Sequence, residues 1–557
     1  MLASGVIFYR EPAHLLLLER PSLSGDLLSQ LRNFPLGFWN ALGRWRAEDA
    51  NKMSMGLKLP LAVLTDSYKA THYLQYPPSS KMVAYGEFRS GYNRDKADTR
   101  LVFHGMRYLV ENYLSRQWTE TDVTQADAFF RTHMAPSNSK FPFPRDMFMK
   151  FVHENEGYFP VKLECLPEGT CIHPHVPVYQ ITSEGEYACL CTFMETLLTM
   201  VWYPTTVATL SRRCRDLLER AFEKTVDLGK DSPLLGSRLH DFGFRGCTCL
   251  EQSILGGTAH LLNFDGTDTM SAAYYAQFVL NNGVPVASSV PATEHSVMTA
   301  WATEKEAIDN MLEHFGSGFF SCVMDSYDYA KALSEVLPAV AAKKTEKGGY
   351  MILRPDSGDP LEAVLAALRA AEKVFGVDIN KKGFKVPRGC GVIQGDGIDY
   401  DSLSRMLDGI IEAGFSIEAT AFGMGGGLMQ RVNRDTMSFA TKLSHIVYQD
   451  GTTADLMKAP KSDPSKASLP GILAVKRVDG VPTAFPADDL EMLHAENLLQ
   501  VVYDGRPAKD DWEDFTGVRQ RVAQEWSALP KSADVISSNL RKKMAQIAED
   551  RRVSAEN

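Results

Sequence analysis

The chain has 557 residues, 44% of them hydrophobic and 23% charged, with a formal net charge of −10. That balance describes a folded globular chain with room for more than one domain. The acidic sign provides no field to gather nucleic acid or an anionic membrane surface, and no apolar run reaches the ~18–20 residues of a membrane span. Nine cysteines occur without a C-x-x-C pair. The C-x-C pairs Cys189/Cys191 and Cys247/Cys249 lack histidines at zinc spacing and suit alternating strand positions. Reduced, buried thiols of a cytoplasmic protein are therefore expected.

Residues 1–55 read as an extension. GVIFYREPAHLLLLER (5–20) suggests two short strands, and its LLLL core lies between Glu11 and Glu19 with no small-residue cleavage site, unlike a secretory signal. Residues 56–195 read as an α+β domain. LPLAVL (59–64) is strand-like, VFHGMRYLVENYLSRQW (102–118) has helical periodicity, and VKLECLPEGTCIHPHVPVYQITS (161–183) alternates around prolines as short or edge strands do. FMETLLTMVWYPTTVATLSRRCRDLLERAFEK (193–224) predicts two helices broken at Pro204. A catalytic α/β region spans 196–440. A strand and a lysine-bearing loop (438–466) and a small strand set (470–505) follow, and 441–525 is expected to pack on the N-terminal domain. The charged stretch 526–557 reads as an exposed helical tail.

Within 196–440, seven apolar runs each end in Asp, His, Arg or Gly: HDFGFRG (240–246), NFDGTD (263–268), SSVPATEH (288–295), VMDSYD (323–328), ILRPDSGDP (352–360), VIQGDGID (392–399) and AFGMGGG (421–427). Repeated strands with chemistry at their C-terminal ends predict an α/β barrel. LEAVLAALRAAEKVF (361–375) and YDSLSRMLDGIIEAG (400–414) supply amphipathic helices between strands.

Each closing motif has two readings. The four glycines of AFGMGGG let backbone N–H groups approach an anion, or make a tight turn; no Walker-type loop is present. Asp396, between two glycines, suits ribose hydroxyls or a hydrated metal, or an Asx turn. Arg354, Asp356 and Asp359 suit phosphate or amide recognition and Mg²⁺, or a local ion pair. His295 beside Glu294 is catalytic or structural; no nucleophile elbow accompanies it. Phe242 can stack on a planar ring or fill the core, Arg245 accompanies it, and Asp268 accepts a ligand N–H or caps a turn. Together they suit a phosphorylated sugar, Mg²⁺ and an aromatic partner.

TDSYKATHYLQYP (65–77), VWYPTTVAT (201–209), the first six closing motifs and FGMGGGLMQRVNRD (422–435) occur in the order in which they resemble the nicotinamide phosphoribosyltransferase family, from about residue 60 to 520. The resemblance implies a type II phosphoribosyltransferase fold: an irregular α/β barrel with an α+β domain built from N- and C-terminal segments. It implies a homodimer with shared active sites, converting nicotinamide and phosphoribosyl pyrophosphate to nicotinamide mononucleotide and pyrophosphate, with Mg²⁺ and stimulation by ATP. Phe242 and the Tyr68 of a second subunit would sandwich the pyridine ring, and Asp268 would accept from the carboxamide. Arg354 would lie near the amide and product phosphate, Arg245, Arg434 and Lys458 would contact phosphates, and Arg89 would come from the second subunit. Gly425 and Gly426 would hold the 5′-phosphate. Asp325 and Asp356 would border the ribose and Mg²⁺, and His295 would be transiently phosphorylated. Asp66, Ser289, Gly395 and Asp396 complete the implied substrate site.

Three alternatives compete. Nicotinate phosphoribosyltransferase is disfavoured by Asp268, whose charge repels a carboxylate. A non-catalytic nucleotide-binding protein on the same fold is disfavoured by the presence of His295, Asp325, Arg354 and Asp356. An isomerase or aldolase barrel would want a lysine at a strand end, and none closes a run. The segment between Arg89 and Phe103 is short, and Phe244, Cys247 and Cys249 stand where the family more often has polar residues.

Overall fold

The computed structural model describes residues 59–133, 140–460, 466–492 and 494–556; the expected extension over 1–55 lies outside the described residues. The strand-like LPLAVL forms a short 3₁₀ turn, Leu61–Val63, with Leu61 and Ala62 buried, and pairs with no strand among the described residues. The SYKATHYL segment is a 3₁₀ helix, Ser67–Leu74. The first strands are Ser79–Glu87 (β1), Lys162–Cys165 (β2) and Pro177–Glu184 (β3). Between β1 and β2, the helical periodicity at 102–118 is realised as Met106–Leu109 running into a π-turn, Val110–Leu114. β3 is no edge strand: it pairs with both β1 and β2. Pro177 is tolerated there as the strand's first residue, where it interrupts no central ladder.

Two helices follow, Glu195–Thr199 and α1 (Trp202–Thr225). The break falls ahead of Pro204, which lies in the first turn of α1. First-turn N–H groups have no intrahelical acceptor, so proline removes nothing there.

The barrel strands are Leu239–Asp241 (β4), Phe319–Val323 (β5), Tyr350–Arg354 (β6), Cys390–Gln394 (β7) and Thr420–Met424 (β8). They pair in parallel in the order β4-β8-β7-β6-β5. Three single parallel bridges, Asp241 to Thr267, Gly266 to Ser288 and Ala292 to Ser321, close the ring. All seven apolar runs thus enter one irregular α/β barrel. Helix α2 (Leu250–Leu261) follows β4, α3 (Pro360–Phe375) follows β6, and α4 (Tyr400–Glu412) follows β7. Asp359 accepts from the N–H groups of Leu361 and Glu362 and is therefore the N-cap of α3, not a site carboxylate. That cap stabilises α3 by about 1 kcal/mol, and α3 buries Val364, Ala367, Leu368 and Ala371 against the barrel core. Asp399 caps α4 in the same way, through the N–H of Ser402.

Beyond the barrel come Ala440–Tyr448 (β9), Thr453–Asp455 (β10) and Gln500–Asp504 (β11). They join the earlier strands in one antiparallel sheet, ordered β10-β9-β1-β3-β2-β11. A separate hairpin pairs Leu473–Val478 with Val481–Pro486. The C-terminal helices are α5 (Phe515–Ala528) and α6 (Ser538–Glu556). α6 begins later than the charge pattern suggested. It is docked, with Leu540 buried and Lys543 paired to Asp455 at 2.8 Å.

Among the described residues no helix is long and apolar enough to cross a membrane. The cysteines are free, and six of them are buried. The C-x-C pairs are not on strands: Cys189 lies in a 3₁₀ helix, Gly185–Leu190, with Cys191 just past its end, and Cys247 and Cys249 lie in the loop before α2.

Candidate active site

The C-terminal ends of the barrel strands surround a cavity of about 570 Å³ lined by Phe242, Phe244, Arg245, Asp268, Thr269, Arg354, Asp356, Gly395, Asp396 and Gly425. Eight of these ten follow from the sequence motifs; Phe244 and Thr269 are additions.

Phe242 leaves β4 with its N–H donating to Met424 O of β8 (3.1 Å). Its ring lies over two glycines. A Cβ on Gly423 would stand 2.1 Å from Phe242 Cε2, and one on Gly395 2.7 Å from it. No side chain fits at either position while the ring stays in place. The Arg354 guanidinium is 5.4 Å from the ring centroid, within cation–π reach.

Asp268 accepts from Ser289 Oγ at 2.9 Å and lies 3.9 Å from His240 Nδ1. Burial acts to raise its pKa, but His240, Ser289 and the charge of Arg354 together hold the carboxylate below its ordinary range. It is therefore an acceptor at neutral pH. At 3.9 Å the His240 contact is Coulombic rather than a hydrogen bond.

Asp356 pairs with Arg354 at 3.0 Å, and its N–H donates to Asp325 Oδ2 (3.0 Å), which Ser357 Oγ also reaches. The Asp325 side chain is buried, and its Oδ1 makes no hydrogen bond among the described residues. His295 joins the two carboxylates, with Nε2 3.5 Å from Asp356 and 3.9 Å from Asp325, while Nδ1 meets Ser326 Oγ at 3.2 Å. The imidazole is half exposed, so it can take a group from solvent while carboxylates orient it.

On β8, the glycine run bends at Gly425 into a four-residue helix, Gly426–Met429. The N–H groups of Leu428 (3.0 Å) and Met429 (3.2 Å) donate back to Gly425 O, so those of Gly426 and Gly427 are the ones at hand for an anion. Gly427 is obligatory in this bend, because a Cβ there would fall 2.3 Å from Ile398 O. Asp396 is exposed at the rim.

Asp66, Tyr68, Arg89, Arg434 and Lys458 do not line the cavity. Asp66 accepts from Thr196 Oγ1 (2.8 Å), and Tyr68 is 54% exposed. Arg89 donates from Nε to Ser438 O (3.2 Å), beside the short 3₁₀ turn that carries Arg434, Arg434–Thr436. Lys458 is exposed and donates its N–H to Ser468 Oγ.

Sequence reasoning missed His240, Asp241, Ser326 and Ser357. Asp241 is fully buried; its Oδ1 accepts from Gly243 N (2.7 Å) and its carbonyl from Asp268 N (3.0 Å). One residue thus ties the Phe242 turn to the Asp268 turn. Burial pushes its carboxyl up to about 7, and Oδ2 finds no partner among the described residues. The signal was adjacency to Phe242, which did not separate a support from a core aspartate.

An aromatic face, an ionised acceptor, two arginines and a glycine bend converge on one cavity. They can hold a planar amide and an anion side by side. The N-terminal domain profile of nicotinamide phosphoribosyltransferase matches residues 60–163, and that of the nicotinate phosphoribosyltransferase (NAPRTase) family matches residues 237–504. A nicotinamide phosphoribosyltransferase of Xanthomonas campestris is 38% identical over 425 residues, 75% of this chain and 87% of that protein. One from Acinetobacter baylyi is 29% identical over 501 residues, 84% of this chain and 98% of that protein. Two crystal structures share the fold. Nicotinate-nucleotide pyrophosphorylase from Pyrococcus furiosus has a TM-score of 0.56 at 16% identity and covers 85% of this chain and 97% of its own. Human nicotinic acid phosphoribosyltransferase has a TM-score of 0.54 at 18% identity and covers 87% of this chain and 100% of its own. The 38% identity across most of both chains settles the matter: the chain belongs to the nicotinamide phosphoribosyltransferase family.

Proposed function

We propose that this protein transfers the phosphoribosyl group of phosphoribosyl pyrophosphate to nicotinamide, giving nicotinamide mononucleotide and pyrophosphate. The observation that carries the reading is Asp268, an ionised acceptor beside the Phe242 ring and the Arg354 guanidinium. It accepts from a carboxamide NH₂ and repels the carboxylate of nicotinate.

The pyridine nitrogen attacks C1 of the ribosyl group. The C1–N bond forms as the C1–O bond breaks, and the electron pair leaves with pyrophosphate. Positive charge grows on the sugar, where Asp325 and Asp356 stabilise it. Arg245 and Arg354, which line the cavity, meet phosphate charge, Arg434 and Lys458, outside its lining, are given phosphate contacts by the family resemblance alone, and the bend at Gly425 and Gly426 receives the 5′-phosphate. Phe242 orients the ring, so that much of the acceleration comes from alignment.

Asp325 and Asp356 would fit Mg²⁺ held largely through water and substrate oxygens: both carboxylates face the same place, and Asp325 Oδ1 makes no hydrogen bond among the described residues. When bound, the ion would neutralise charge on the leaving pyrophosphate. His295 takes a phosphoryl group from ATP in this reading, placing about −2 charge beside the two carboxylates. Tyr68 and Arg89, absent from the cavity lining, serve the site of a second subunit in a cytoplasmic homodimer. The test is nicotinamide-dependent release of pyrophosphate from phosphoribosyl pyrophosphate. Mixing Tyr68→Ala with Phe242→Ala should restore activity through hybrid dimers, and no recovery from subunits shown to exchange would refute the shared site.

A further inference from the structure

A second cavity, of about 190 Å³, shares no lining residue with the first. Its wall includes Tyr108, Tyr275, Trp512 and Leu255, with His104 and Thr258 as polar groups. The tyrosine rings stand 5.8 Å apart at a tilt of 59°. None of these residues lines the first cavity.

Size limits the occupant. A dry cavity of ~150 Å³ holds one benzene ring, so this one suits a single substituted ring and excludes a nucleotide.

Charge limits it further. The ionic groups of the lining are paired within the chain: Arg107 with Glu111 (2.8 Å), Arg521 with Glu513 (2.5 Å), Lys509 with Asp511 (3.5 Å) and His104 with Glu168 (2.5 Å). Glu168 also accepts from the N–H groups of Gly105 and Arg107. A charged ligand would compete with these pairs, whereas a neutral one leaves them as they are.

His104 also offers a polar atom: its Nδ1 is engaged with Glu168, which leaves Nε2 as the ring's other hydrogen-bonding atom.

We propose that this cavity is a second small-molecule site, taking a neutral single-ring aromatic whose hydroxyl hydrogen-bonds with His104 Nε2. It is independent of the catalytic reading. The probe is 4-fluorophenol, followed by ¹⁹F NMR on the full chain, with 4-fluorotoluene as the analogue lacking a donor. The expected result is saturable binding of 4-fluorophenol, one per chain, at least about fivefold tighter than 4-fluorotoluene, consistent with one hydrogen bond. Binding should persist in Phe242→Ala. It should be lost in Leu255→Phe and in Val502→Phe, which fill the cavity from two walls; two variants guard against a misfolded one. His104 itself is left in place, because its removal would strand the Glu168 charge. The proposal is overturned by the absence of saturable binding, by equal affinity for the two probes, or by binding that vanishes in Phe242→Ala and survives both filling variants.

Discussion

Replacing Gly423 with alanine tests whether Phe242 is held as a platform. The added methyl would lie 2.1, 2.2 and 2.7 Å from Phe242 Cε2, Cδ2 and Cζ. Carbon pairs settle near ~3.5–4.0 Å, so the ring must move by roughly 1.5 Å. Gly395, just past β7, packs so close to the same ring that a Cβ there would stand 2.7 Å from it, which limits movement that way. It must tilt into the cavity, where a pyridine would stack. Lost aromatic stacking is worth ~0.5–1.5 kcal/mol, a factor of about 2 to 13, and an ångström of misalignment at a reacting ring can lower the rate by ~100-fold. We therefore expect kcat/KM for nicotinamide to fall by between about 10- and 1,000-fold, with KM for phosphoribosyl pyrophosphate nearly unchanged. Overpacking should also destabilise the fold by ~1–3 kcal/mol. Initial rates with each substrate varied in turn, together with urea melts, measure both effects. Phe242→Leu in the Gly423→Ala background should recover stability but not nicotinamide affinity. Wild-type kcat/KM for nicotinamide in Gly423→Ala would refute the platform.

Asp268→Ser should narrow the preference for nicotinamide over nicotinate by at least about tenfold, since like-charge repulsion in a partly dry pocket costs several kcal/mol; an unchanged ratio in competition assays contradicts its role. His295→Ala should abolish stimulation by ATP while leaving ATP-independent turnover, so equal stimulation of both proteins rules out the phosphohistidine. Asp241 has its carboxyl raised from 3.8 to about 7, so the protonated native form contributes stability that is full below pH 3.8 and lost as pH rises through about 7. Asp241→Asn should flatten that decline in urea melts between pH 5 and 8, and an unaltered slope excludes Asp241 as its source. His260 shows the opposite sign: burial lowers it from 6.5 to about 4, so its contribution is present above pH 6.5 and disappears as pH falls through about 4. His260→Gln should blunt the acid-side loss; a melting profile identical to wild type speaks against it.

The barrel was legible because its five strands and the two bridged segments that close it are apolar runs capped by turn chemistry, and local pattern suffices for that. Closure was not legible. Phe242 and the glycine bend at Gly425 stand at opposite ends of the series, yet β4 and β8 are neighbours, which follows only once the ring closes. For the same reason no sequence pattern showed that Gly423 and Gly395 make room for Phe242: a contact across three strands leaves no periodic trace. The readings that failed were short-range ones. LPLAVL has the composition of a strand, but a strand needs a partner. Asp359 looked like a site carboxylate because a helix cap and a metal ligand use the same residue type at the same kind of turn. Pro204 was read as a break because its place in the first turn depends on where α1 begins. Among the site residues, those at strand ends were brought together. Tyr68, Arg89 and Lys458 were recognised only through resemblance, since the barrel of their own chain does not gather them.

The central claim is tested most directly by the product itself. Purified protein would be mixed with phosphoribosyl pyrophosphate and Mg²⁺, with nicotinamide or nicotinate in parallel, with and without ATP, and read by mass spectrometry. The account predicts nicotinamide mononucleotide from the nicotinamide mixtures, more of it with ATP, and little or no product from nicotinate. Product from nicotinate alone, or none from either base, would contradict it.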